Sequence, residues 1–303
     1  MAAFLAASLL TSCFTGVEGT KKIKLSRDDR KALQPSDEEQ FFVGVKGTPL
    51  PQWQKGKKFI AADDKTALIF DQQGFSSNPM AAKLGGKILS FEGIDRRLGA
   101  DGNMYIVIGF KDGDNMYIYN TGKTEEEAAS LSSEQLPMVI DNDMVEEARS
   151  LLLGKQLWIK SPLWYDDAGN RINGLKFVPV TIDDVQPASA AFPLKLRFTL
   201  GDGKYAWLFM NFGNSGTESR SFPALFSLSD IRKKYPSISD EFWEAICRGR
   251  VKTGMTKEEC KLSLGNPSEV SSGHDYSQTL DLWNYPDGTA LWFEGGILTK
   301  YRR

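Results

Sequence analysis

Gly254-Met255-Thr256-Lys257-Glu258-Glu259-Cys260-Lys261-Leu262-Ser263-Leu264-Gly265-Asn266-Pro267 decides the fold reading, because almost every residue in it has a local chemical reason. Thr256 caps a helix, and Glu259, three residues on, returns the hydrogen bond as a capping box. Leu264 closes the helix: Gly265 supplies the left-handed residue that follows it and Pro267 forbids continuation. Three β-type segments come next, at 279–285, 289–294 and 297–301, separated by the turns Pro286-Asp287-Gly288 and Gly295-Gly296. The unit reads as a helix feeding an antiparallel meander, with a second helix expected ahead of it at 240–248.

Upstream lies a repeat. A glycine followed by a basic residue leads out of a turn at Gly56-Lys57, Gly154-Lys155 and Gly249-Arg250, at near-equal spacing. The first two steps open similar β-rich stretches. Segment 104–120 with its Asp112-Gly113 turn resembles 194–211 with Asp202-Gly203; the stretches end at Gly122 and Gly213, and helices expected at 144–153 and 240–248 run into the next step. Along 104–110, Met104, Ile106 and Ile108 face one way and Tyr105 and Val107 the other. Both sides are therefore apolar, as in sandwiches and small closed barrels. The expected class is α+β: tandem β-rich units, small-barrel or sandwich-like, with helical connectors, followed by a two-helix plus antiparallel-sheet domain. The boundaries read 1–20 for a signal and tether, 21–50 for a linker, 51–153 and 154–235 for the two units, and 236–303 for the last domain.

The order GMTKEECKLSLGNPSEV, then LWNYPDG, then LWFEGGILTKY resembles the SmpA/OmlA family, the BamE-like lipoproteins of the bacterial outer membrane. The likeness covers only about a fifth of the chain. It implies two helices on a small antiparallel sheet, and a non-catalytic accessory or scaffold role in outer-membrane protein assembly or envelope integrity. At the other end, Leu10-Thr11-Ser12-Cys13 closes an Ala- and Leu-rich run and resembles the bacterial lipobox, which implies lipidation of Cys13 and loss of residues 1–12. The run is too short to span a bilayer and has no basic segment ahead of it. One lipidated N-terminus would tether a soluble body to the membrane. The expected location is the bacterial cell envelope, as an outer-membrane-anchored lipoprotein facing the periplasm or the surface.

Composition narrows the classes further. Thirty-seven Lys and Arg against 39 Asp and Glu leave a net charge of −2, so no basic field points to nucleic acid. Of three cysteines, Cys13 belongs to the lipobox. Cys247 and Cys260 flank the turn between the two C-terminal helices, where two readings stand open: a disulfide contributing on the order of 3 kcal/mol, or two packed thiols. The single histidine, His274, has no serine elbow, HExxH or CxxC beside it. Adjacent acids at Asp63-Asp64, Asp166-Asp167 and Asp183-Asp184 point to opposite faces of an extended chain and form no catalytic dyad. No metal-ligand spacing and no cofactor motif is present in the sequence, so no metal or cofactor is expected.

These readings converge on a non-enzymatic, membrane-anchored envelope lipoprotein that binds envelope proteins. Its interaction residues are expected at Trp283, Tyr285 and Trp292, on a sheet whose strand 280–285 carries apolar groups on both faces. Two alternatives are weighed beside it. A glycan- or peptidoglycan-binding module would use the hairpin aromatics Tyr117, Tyr119, Tyr205, Trp207 and Phe209, whose other reading is cross-strand packing. An envelope hydrolase would need Cys260 and His274 together.

Overall fold

Gly56 and Gly154 both sit in the left-handed region, at φ +91° and +75°. Each N–H donates to a carbonyl on a long strand, Gly56 to Phe91 at 2.7 Å and Gly154 to Ile182 at 2.8 Å; the same residues donate back to the carbonyls of Lys57 and Lys155. In the computed structural model, which describes residues 35–71, 83–213, 220–275 and 278–303, these two pinned steps open two sheets of the same design. Of residues 274, 275 and 278 only the backbone is described.

The first sheet contains β1 (Lys58–Ala61), β2 (Ile88–Leu98), β3 (Met104–Asp112), β4 (Asn115–Asn120) and β5 (Val139–Asp141), in the order β4-β3-β2-β1-β5. The second contains β6 (Gln156–Ile159), β7 (Leu163–Tyr165), β8 (Arg171–Asn173), β9 (Val178–Pro187), β10 (Leu194–Leu200), β11 (Tyr205–Met210) and β12 (Phe226–Ser227). Its core order, β11-β10-β9-β6-β12, repeats the first, and the inserted hairpin β7-β8 adds beyond β11. All pairings are antiparallel. In both long strands the residue after the pinned one, Glu92 or Asp183, is an extra residue that breaks the register. Such bulges bend a strand and increase its twist.

The second sheet has to curl. Only Lys160, Ser161 and Pro162 separate Ile159 from Leu163, a reach of at most about 14 Å. A flat sheet would hold β6 and β7 four strand spacings apart, about 19 Å. The chain thus leaves one side of the sheet and rejoins it at the other, where Tyr165 pairs with Trp207. The first sheet approaches the same closure through the isolated bridge from Phe70 to Tyr119. Both sheets curl like open half-barrels, each around its own core: Phe59, Leu89, Ile108 and Phe110 in the first, Leu157, Ile182, Leu196 and Phe198 in the second.

Among the helices, α1 (Asp37–Phe42), α2 (Glu125–Ala128), α3 (Asn142–Leu152) and α4 (Phe222–Leu225) accompany the barrels. The helix α3 has its apolar stripe, Met144, Val145, Ala148 and Leu152, in the core of the second sheet, which Ile60 and Ile140 of the first also join. The Gly154 step turns the chain back beneath it, and Arg149 fastens it by donating from Nε and Nη2 to the Val185 carbonyl. Asp141 caps α3 by accepting from the Asp143 N–H, and the same carboxylate accepts from Lys57 Nζ at 2.9 Å and from Ser133 Oγ. Both Lys57 and Asp141 side chains are buried. One carboxylate therefore ties the glycine step of the first barrel to the helix that completes the second.

The C-terminal unit holds α5 (Asp240–Cys247), α6 (Lys257–Leu264) and the sheet β13-β14-β15-β16, made of Glu269–Asp275, Gln278–Asn284, Ala290–Glu294 and Ile297–Arg302. Thr256 and Glu259 form the capping box of α6 and Gly265, at φ +86°, ends it. The pinned step recurs here with a shift from the sequence reading. It is Gly254-Met255, not Gly249-Arg250: the Gly254 N–H donates to the Leu298 carbonyl and Leu298 donates back to Met255, both at 2.8 Å, with Thr299 as the bulged residue.

Removing the Asp141 carboxylate leaves a buried ammonium short of a partner and α3 uncapped. Asp141→Ala is expected to lower the unfolding free energy by about 3–5 kcal/mol, and Asp141→Asn, which keeps the cap, by less; urea denaturation of the three proteins measures it.

Candidate functional site

Pairing register settles which face of the C-terminal sheet is free. Asp281 opposes Phe293 and Trp283 opposes Leu291, so these side chains share the face that packs on α5 and α6 together with Ile246, Met255, Cys260 and Leu298. Trp283 is only 4% exposed. Tyr285 is buried beside it and donates its hydroxyl to the Gly265 carbonyl at the end of α6. Neither residue is on the surface where the sequence reading put it. The alternation of a strand is the reason: with two helices on one face, the larger aromatics went inside.

The other face carries Leu280, Leu282, Trp292 and Ile297, in two cross-strand rows that pair Leu280 with Glu294 and Leu282 with Trp292. Leu280 is 39% and Ile297 41% exposed. On the edge strand β13 the matching positions are Gly273 and Ser271, opposite Leu280 and Leu282. They add almost no bulk, and a groove of about 380 Å³ remains over Leu280, Leu282 and Trp292. The Lys300 ammonium stands 5.4 Å from the Trp292 ring centroid. Of the expected interaction residues, Trp292 is the one that lines this groove. The sequence reading missed β13, because Glu-Val-Ser-Ser-Gly-His-Asp has neither apolar alternation nor β-branched enrichment.

The remaining candidates fall out as follows. Cys13 lies outside the described residues. Of the two open readings for Cys247 and Cys260, the structure has two buried, free thiols. Burial pushes the Cys260 thiol up to about 12. It pushes Cys247 up to about 11, against the pull of the nearby Lys176 ammonium. A thiol held that high is no nucleophile at neutral pH. His274 sits opposite Thr279 on β13, and its side chain lies outside the description. Tyr117 is buried in the first core, with Tyr119 packed against it. Trp207 is 6% exposed, donates Nε1 to Asp167 and is covered by Lys195 at 4.0 Å. Tyr205 also donates to Asp167, and these two bonds hold that carboxyl below its usual range. Phe209 packs edge-on against Tyr165. Asp63 caps a short 3-10 turn and Asp183 pairs with Arg197. Among the described residues no group of three or more His, Cys, Asp and Glu side chains is placed to hold a metal ion.

A second concavity, about 580 Å³, lies where the C-terminal unit meets the second barrel, between Trp158 and Pro179 of the barrel and one stripe of α5, Asp240, Trp243, Glu244, Cys247 and Arg248. Beside it Lys176 is 7% exposed; its N–H donates to the Cys247 carbonyl and its Nζ to the carbonyls of Leu262 and Ser263 at the end of α6. Burial pulls this amine down to about 8. The next residue, Phe177, has φ +60° and stacks on Trp243 at 5.7 Å. The corresponding place in the first barrel is Gly86 at φ +76°: Gly86 donates to Ala61 as Phe177 donates to Ile159, one strand residue after the same register. A phenylalanine there costs roughly 1–2 kcal/mol of backbone strain that glycine avoids. Compared with protein-family models, with curated proteins and with solved structures, the chain matches none.

Because Lys176 has a lower pKa folded than unfolded, the unfolded chain binds more protons between pH 8 and 10.5, and the buried ammonium's penalty is relieved as pH rises through that window. The two thiols act oppositely above pH 9, since their folded values are raised. The lysine contribution is isolated by the stability difference between the wild type and Lys176→Met, which is expected to shift by about 1 kcal/mol in favour of the wild type from pH 8 to pH 9; urea midpoints at the two pH values report it.

Proposed function

We propose that this chain is a non-catalytic scaffold of the bacterial envelope, anchored through Cys13, which binds an extended segment of an envelope protein on the outer face of the C-terminal sheet. The observation that carries the reading is the groove over Leu280, Leu282 and Trp292 alongside the edge strand β13. A sheet with one helical layer buries one face, and apolar side chains on the other mark an interaction surface. An edge strand offers a row of backbone groups to an incoming strand, while alternate side chains of that strand reach the groove. The anchoring part of the proposal rests on Leu10-Thr11-Ser12-Cys13, and the two-helix, four-strand order of the C-terminal unit is in keeping with the resemblance to BamE-like domains. Glycan stacking draws little support, with Tyr117 and Trp207 buried and Trp207 covered by a lysine. Cysteine hydrolysis draws none from a fully buried Cys260.

Two measurements test the binding and one the anchor. A photo-crosslinking residue at position 280 is expected to trap a discrete protein adduct in intact envelopes, while one at position 205, on the barrel, traps none. Leu280→Ser, which should change stability by about 0.5 kcal/mol or less, is expected to abolish binding of that partner, whereas Trp283→Ala costs about 3–5 kcal/mol of folding free energy. A clean blank at position 280 in membrane-bound protein would end the binding proposal. For the anchor, Cys13→Ser is expected to move the protein from the membrane fraction to the soluble one; equal membrane recovery of the two proteins rules the lipid anchor out.

A further inference from the structure

Helix α3 touches two sheets. Its stripe completes the core of the second, and Ile60 and Ile140, from the outward face of the first, pack into the same cluster. That outward face is thereby sealed, with Ile60 only 9% exposed. Helix α5 has the same station one unit later. Its Ala245 and Ile246 lie in the core of the C-terminal sheet, and its other side faces the second sheet. Shared register makes Trp158 the counterpart of Ile60: each stands four residues after its pinned glycine, and they pair with Pro179 and Ile88 on the long strands. Trp158 is not sealed. Between it and α5 lies the cavity of about 580 Å³, inside the roughly 300–1,000 Å³ range of small-molecule sites.

Two further departures from the first unit meet at this cavity. The stripe that α5 turns to it is Asp240, Trp243, Glu244, Cys247 and Arg248, where α3 offers Met144, Val145, Ala148 and Leu152. Phe177 lines it at φ +60°, where the first sheet has Gly86. Backbone strain of this kind collects at ligand clamps.

The lining selects among ligand classes. An anion would meet Asp230, Asp240 and Glu244, while both guanidiniums are already paired, Arg232 with Asp240 at 3.1 Å and Arg248 with Glu244 at 3.0 Å. A cation would find the Trp243 ring taken by Arg232 at 4.9 Å and by Phe177 at 5.7 Å. A wholly apolar molecule would strip water from five charged side chains. A neutral saccharide suits every part. Its C–H face fits the wall of Trp158 and Pro179, and its hydroxyls donate to carboxylates and accept from guanidinium, amide and indole N–H groups. Among the described residues the Trp158 indole N–H and the Gln156 side-chain amide have no protein partner, which leaves both for a ligand.

We propose that this cavity is a saccharide site, in which a neutral sugar ring stacks on Trp158 and its hydroxyls bond to Gln156, Glu244 and Arg248. It shares no residue with the groove on the C-terminal sheet and is independent of what that groove binds. The hairpin aromatics Tyr117 and Trp207 are buried elsewhere and take no part.

The full chain is titrated by calorimetry with a panel of neutral di- and trisaccharides of hexose and N-acetylhexosamine units, and with oligogalacturonate and tetramethylammonium as charged probes. At least one neutral member is expected to bind with a dissociation constant below about 5 mM. Trp158→Ala is expected to weaken that binding about tenfold or more, Glu244→Gln about threefold or more, and Leu280→Ser not at all. Silence from every neutral member overturns the proposal, and so does binding of the charged probes alone. Affinity unaltered in Trp158→Ala and Glu244→Gln, or lost in Leu280→Ser, puts the sugar somewhere else and overturns it equally. Should Trp158→Ala fail to fold, Glu244→Gln, at an exposed position, carries the comparison with the same overturning results.

Discussion

Two hydrogen bonds exchanged between a left-handed glycine step and the residue ahead of a bulge organise every unit of this chain. At Gly56 and Phe91, Gly154 and Ile182, and Gly254 and Leu298 the arrangement is the same, and each time the next residue on the long strand is extra. The bulge bends the strand, and the glycine lets the incoming chain meet it at close range. In the two barrels the pinned strand is the first long one after the step; in the C-terminal unit it is the last strand of the chain. The device thus tolerates opposite chain orders. It constrains local geometry, and topology is free to vary around it.

From that constraint follows the division of surfaces. A curled sheet wraps its concave face around its aromatics, and Phe59, Phe110 and Phe198 are fully buried, while Trp207 is boxed in by Asp167 and Lys195. The four-stranded C-terminal sheet stays open. Its helices take Trp283, Tyr285, Leu291 and Phe293, and among the described residues Leu280, Leu282 and Trp292 are left lining a groove on the other face.

Local chemistry made the C-terminal unit legible from sequence. The capping box, the glycine after α6 and the Pro-Asp-Gly turn act over a few residues, and the structure has α6 at Lys257–Leu264 and strands on both sides of that turn. The Asp-Gly hairpins and near-equal glycine steps likewise gave two β-rich stretches, which share one strand order. What escaped depends on distant partners. A polar edge strand such as β13 is defined by its pairing with β14, not by its own pattern. Trp283 and Tyr285 were recognised as one face of a strand, but which face meets the helices is set by tertiary packing. Lys176 and Phe177 read as an ordinary dipeptide; only the register shared with Gly86 shows that a bulky residue stands where glycine would be at ease.

The seating of α3 has a consequence for how such a chain can be copied. Because Met144, Val145, Ala148 and Leu152 complete the core of the barrel that follows them, the heritable module is helix first and sheet second. A gene duplication cut at Gly154 would deliver a barrel with its hydrophobic interior unroofed, whereas one cut ahead of Asp141 would carry cap, roof and wall together. The placement of α5 on the C-terminal sheet obeys the same frame, although that sheet runs its strands in another order. Exchange at this junction would therefore keep the second sheet's core whole only when the crossover falls ahead of the Asp141 cap.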